Sequence, residues 1–215
     1  MASRDFYRAQ RGPSLIAVVL GAALSLALGA TLCLCYLVLK PARTNDLPRA
    51  PTGSVFYVEG TRDSSYAKQL MHKMQLFAKG SSVKLNEDEL NAWMMSASMT
   101  PPSTRFFQIN SPNFRIWDGF LQVGSKCELN VEMLNFKHQV IVQVMGRFKK
   151  EDDGFVLVPY RFYIGSFPLH RLPGLSRQVL SYFVARMPVP EDIRSAWKKL
   201  ADVHVEGSNL KLTMP

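Results

Sequence analysis

The chain has 215 residues, 47% hydrophobic and 20% charged, a composition that excludes intrinsic disorder and leaves, beside one apolar segment, enough for a single domain with a real core. Its net charge is +9, from 26 Lys and Arg against 17 Asp and Glu. Six of those cations flank the apolar segment, and beyond residue 50 the balance falls to 20 against 15 with the cations scattered, which argues against a nucleic-acid stripe.

Residues 1–13 form a short basic tail with Arg4, Arg8 and Arg11. Ser14 to Leu39 then carry no charge at all. As a helix rising ~1.5 Å per residue this stretch reaches ~39 Å, longer than a ~30 Å hydrocarbon core, so it reads as a transmembrane helix. A signal peptide is the rival, since Ala27-Leu28-Gly29 offers small residues to a peptidase. Thr31 to Leu39 continue apolar, however, and cleavage would leave a greasy new end. The flanking cations nearly balance, with Lys40, Arg43 and Arg49 on the far side. A single-pass cell-membrane protein with its body on the extracytoplasmic side is the expected arrangement, because a long domain behind an N-terminal anchor is commonly translocated.

Ala17, Gly21, Ser25, Gly29 and Cys33 recur every four residues and put five small side chains on one helix face. Such a face either is an innocuous groove that faces lipid or admits close approach of a second helix, from another copy or a membrane-protein partner. Cys33 and Cys35 lie in the anchor, so Cys127 is alone in the body and no disulfide forms there. It reads as a small buried hydrophobe.

Residues 40–53, with Pro41, Pro48, Pro51 and Gly53, read as a linker, and residues 54–215 as the soluble body. A first strand is expected at 54–59. From Asp63 to Lys79 the positions Ala67, Leu70, Met71, Met74, Phe77 and Ala78 have the spacing of one helical face, and Gly80 stands where a C-terminal cap belongs. In Leu85-Asn86-Glu87-Asp88-Glu89-Leu90, Asn86 and Glu89 can cap each other's amides while Leu85 and Leu90 close as a staple, so a helix begins at Glu87. It should bury Leu90, Trp93, Met94 and Ala97 before Pro101-Pro102. The acids of its first turn suit the helix macrodipole better than a metal.

From Arg105 to Ile164 the period becomes two. Phe107 and Ile109, Phe114 and Ile116, Leu121 and Val123, and Cys127 to Met133 alternate with polar neighbours. His138 to Gly146 follow, then Val156, Val158, Tyr160, Phe162 and Ile164 as one face. Trp117-Asp118-Gly119 and Glu151 to Gly154 mark hairpins, giving an antiparallel meander of long strands. Ile141, Met145, Phe155 and Leu157 make the sheet apolar on its second face too, which requires covering helices or a ligand. Two helices follow, one with Leu175, Val179, Leu180, Phe183 and Val184 on its apolar face and one from Glu191 to Leu200. Arg186, Arg194, Lys198 and Lys199 line their polar side. Val203 to Glu206 and Asn209 to Met214 close the chain as a hairpin across Gly207-Ser208. The fold class is α+β: a transmembrane helix, then a meander with two N-terminal and two C-terminal helices packed on it.

No phosphate loop, nucleophile elbow, HExxH or CxxC is present. His204 and Glu206 alone share a strand face at ligand spacing, a weak pair against the reading of a surface ion pair. The expectation is a protein that is not an enzyme and has no cofactor or metal.

The capped segment Leu85-Asn86-x-x-Glu89-Leu90-Asn91, a meander, and then Tyr163-Ile164-Gly165-Ser166-Phe167-Pro168-Leu169 opening a helix resemble the uncharacterised single-pass bacterial membrane proteins with one extracytoplasmic α+β domain. Those are similar in plan to tubular lipid-binding modules, in which a curved sheet wraps a helix around an apolar groove. The chain is shorter than a full tubular module, and the resemblance carries over neither an enclosed tunnel nor any binding residue. The expected function is a membrane-anchored domain that binds an apolar or lipidic ligand, membrane lipid included, or an envelope partner. The alternative is a scaffolding subunit that oligomerises through its anchor. Trp93, Met94, Phe107, Trp117, Phe162 and Phe183 are the candidate groove residues, and each is equally the kind of side chain that fills a core.

Overall fold

A computed structural model describes residues 14–40, 65–95, 107–110, 112–117, 119–132, 135–152, 154–172, 174–185 and 189–215. The linker, the strand expected at 54–59 and Ala97 lie outside these residues. Two compact units result, the apolar helix and the chain from Val38 onward. Helix α1 (Leu15–Leu39) is uninterrupted and, among the described residues, is the one helix long and apolar enough to cross a membrane.

The second unit is α+β with two antiparallel sheets. Helix α2 (Tyr66–Ala78) buries Leu70, Met74 and Phe77, a stripe at i, i+4 and i+7. Met71, expected on that face, is exposed, because it lies about 100° around the helix from Leu70. Gly80 adopts φ +92° and ends the helix as expected: its amide bonds the Phe77 carbonyl and that of Ser81 bonds Leu76. Strand β1 (Val83–Asn86) leads directly into helix α3 (Glu87–Met95).

Strands β2 (Phe107–Ile109) and β3 (Asn113–Trp117) both pair with β4 (Phe120–Val131). The meander continues through β5 (Phe136–Glu151), β6 (Gly154–Ile164) and the short β7 (Phe167–Pro168). A 3-10 turn at Leu169–Arg171 leads to helix α4 (Leu175–Ala185) and helix α5 (Glu191–Lys198). The last hairpin, β8 (Asp202–Glu206) and β9 (Asn209–Thr213), forms across the turn Gly207-Ser208, as expected. It pairs with β1 in a separate sheet, in the order β1-β9-β8, with Val83 opposite Leu212 and Leu85 opposite Leu210.

The core follows from these faces. Its larger cluster joins Leu70, Met74 and Phe77 of α2 with Leu85, Leu90, Leu210 and Leu212, with Ile193 and Ala196 from the last helix, and with Leu200 just beyond it. Leu121 and Phe155 bring one face of the long sheet into it. A smaller cluster gathers Val144, Phe162 and Leu169, with Val179 and Leu180 of α4 packed on it. Only those two residues and Phe183 are half-buried on the apolar face of α4, whereas Leu175 and Val184 are exposed.

Candidate functional site

The site starts with a glycine. A Cβ on Gly146 would come within 2.3 Å of the Val158 carbonyl oxygen, so only Gly permits β5 and β6 to approach here. The register shifts at this point: Met145 pairs with Arg161 but Gly146 with Pro159, which leaves Tyr160 as the extra residue of a β-bulge. Alternation along β6 is therefore broken. Phe155 and Leu157 face the core with Phe162 and Ile164, while Val156, Val158 and Tyr160 are exposed. The single face read from Val156 to Ile164 is corrected accordingly, since a bulge inverts the period-two pattern beyond it.

Tyr160, 61% exposed, stacks on Phe120 with ring centroids 5.5 Å apart. The Arg147 guanidinium lies over the same Phe120 ring, 4.1 Å from its centroid. Arg161 stands 5.7 Å from the Tyr160 ring. Trp117 is opposite Phe120 across the β3–β4 ladder, and Val158 and Val156 are opposite Arg147 and Lys149. These residues form one outward strip of aromatic, aliphatic and cationic side chains. Among the described residues no acidic side chain forms an ion pair with Arg147, Lys149 or Arg161. A cation–π contact holds a guanidinium over a ring and leaves N–H groups available to bind an oxyanion.

The expected groove residues do not converge. Trp93 packs half-buried on the larger cluster, Met94 is buried, and Phe162, 1% exposed, is at the centre of the smaller cluster. Phe183 is half-buried on α4 with its ring edge-on to Tyr182. The Phe107 side chain lies outside the described residues. Of the five whose side chains are described, Trp117 alone belongs to the outer strip. A groove of about 320 Å³ does exist at the other end of the sheet, but polar side chains dominate it: Gln108, Glu128, Asn130, Lys137, His138 and Gln139, with Leu129. Along α1, Ala17, Gly21, Ser25, Gly29 and Cys33 are all exposed.

Two polar clusters are occupied by structural work. Asn86 and Glu89 cap each other's backbone amides at 2.8 and 3.0 Å, as their spacing implied. Glu89 is also buried and paired with Lys73 at 2.6 Å, and Lys73 donates a second bond to the Lys84 carbonyl. Asn91, also buried, accepts the Phe114 amide at 2.7 Å and donates to its carbonyl at 3.0 Å, while Glu87 accepts the Ile116 amide at 3.1 Å. Side chains of α3 thus replace a neighbouring strand along the open edge of β3. His204 is exposed and pairs with Asp202 rather than Glu206. The Glu206 carboxyl is held below the usual carboxylate range by a hydrogen bond from Lys84 and by the Lys211 charge. Among the described residues no group of three His, Cys, Asp or Glu is placed to hold a metal ion.

No protein-family model, curated protein or solved structure matches the chain.

Proposed function

We propose that this is a single-pass, membrane-tethered binding domain without catalytic activity, its body on the extracytoplasmic side of the cell envelope, and that its ligand is lipid engaged through the outer strip of Trp117, Phe120, Val156, Val158 and Tyr160. The observation that carries this reading is the bulge at Gly146, beyond which Phe162 and Ile164 turn inward while Val156, Val158 and Tyr160 stay on the outer face, Tyr160 stacked on Phe120. Rings with one apolar side and one polar tip favour the boundary between acyl chains and water, and aliphatic neighbours add transfer energy of ~25 cal/mol per Å² buried. A tether makes weak contact sufficient, because a surface held near a bilayer meets it at high effective concentration.

The test is photocrosslinking of the full chain in bilayers that contain a lipid with a photoactivatable group near the acyl–headgroup boundary. Lipid adducts on peptides spanning 117–120 and 156–160, in addition to those on 15–39, are the expected result. Adducts confined to the anchor would remove the proposal.

A further inference from the structure

Resting on that reading, we infer that the strip selects anionic phospholipid headgroups, with Arg147, Lys149 and Arg161 as the phosphate-binding side chains around the Phe120–Tyr160 stack. The occupant is identified by charge complementarity. Three cations border the apolar strip, and among the described residues no acidic partner neutralises any of them. Another exposed cation is answered: Arg177 Nη2 donates to both carboxylate oxygens of Glu151 at 2.6 Å. The positions also match the layering of a bilayer surface. Val156 and Val158 are opposite Lys149 and Arg147 across the ladder, so aliphatic groups that prefer the acyl boundary lie beside cations that prefer the phosphate level. Phe120 holds the Arg147 guanidinium over its ring, 4.1 Å from the centroid, so less side-chain entropy is lost when its free N–H groups meet a phosphate oxygen. The body as a whole repels no anionic surface, since cations outnumber acids beyond residue 50.

Each cation near an anionic leaflet multiplies occupancy roughly five-fold, and exposed charges lose most of that effect beyond a Debye length of about 10 Å at 0.1 M salt. The experiment uses the full chain in lipid nanodiscs, in a Cys33→Ala, Cys35→Ala background with Val158→Cys carrying an environment-sensitive fluorophore. Cys127 stays unlabelled because it is 1% exposed. Quenching by spin-labelled lipid is read in discs of pure phosphatidylcholine and in discs with about one-third phosphatidylglycerol. Quenching several-fold stronger in the anionic discs is expected. Arg147→Gln and Lys149→Gln should each reduce it roughly five-fold, and salt should weaken it. Equal quenching in both compositions, unchanged by the two substitutions, would overturn the headgroup assignment while leaving lipid contact standing. Absence of quenching in both would overturn the assignment together with the reading beneath it.

Discussion

The two faces of the long sheet differ less in composition than in what they are fixed to. On the inner face Leu121, Val144, Phe155 and Phe162 are buried under helices and the second sheet, and their contribution is core packing. On the outer face Phe120, Val158 and Tyr160 are apolar as well, yet Tyr160 and Val158 remain 61% and 41% exposed and the cations stand among them. Phe162 and Tyr160, two residues apart on one strand, have opposite fates because one bulge lies between Gly146 and its neighbours. An apolar side chain in a sequence therefore does not declare whether it serves the core or a partner; the backbone register decides.

Substitutions that set the faces against each other should give effects of very different size. Phe162→Ala removes a ring from the filled side and should cost about 3–5 kcal/mol in denaturant unfolding, whereas Tyr160→Ala should cost less than about 1 kcal/mol while reducing lipid adducts at 156–160. Equal losses at the two sites would abolish the contrast. Gly146→Ala drives a methyl into the Val158 carbonyl and should cost about 3 kcal/mol, with the Phe120–Tyr160 stack disturbed as well. Asn91→Leu leaves the Phe114 amide and carbonyl without their partners and should cost about 2–3 kcal/mol, seen as faster hydrogen exchange along β3.

The buried side also has a titrating marker. Burial pushes the Cys127 thiol up to about 11, with a hydrogen bond involving Ser125 opposing the shift. The folded form thus keeps its proton where an unfolded thiol loses it, and the associated stability, complete below pH 9, declines as pH rises toward 11. In the Cys33→Ala, Cys35→Ala background, adding Cys127→Ala should make the loss of stability over this window shallower. An unchanged slope would contradict the burial argument. Smallest of all, Arg147→Gln should alter unfolding by less than about 0.5 kcal/mol, since nothing in the core depends on that side chain.

Much of the architecture was legible because its signals are local. The uncharged run of α1, the Asn86–Glu89 reciprocal cap, the Gly80 stop and the Gly207-Ser208 hairpin each depend on a few adjacent residues. What escaped depends on partners far along the chain. Strand β1 has only four residues and is defined by pairing with β9, more than a hundred residues away. Asn91 looks like an ordinary helical polar residue until β3 is placed beside it. The bulge is hidden because 155–164 is apolar at almost every position, so period two could be counted on either phase. Gly146, inside a strand just after the run Val140, Ile141, Val142 and Val144, was the available sign, as glycine inside a strand often marks a bulge or a close approach. The candidate groove residues stand out by size and apolarity, which core and surface share; among those whose side chains are described, Trp117 alone falls on the strip.

The central claim is that the outer face, and not an internal groove, meets lipid. The most direct measurement is quenching by spin-labelled lipid of a fluorophore at position 158 of the full chain in nanodiscs, with an identical fluorophore at position 211 on β9 as reference. Strong quenching at 158, greater in anionic discs, with little at 211, is the predicted result. Equal quenching at both positions, or none at 158, would contradict it.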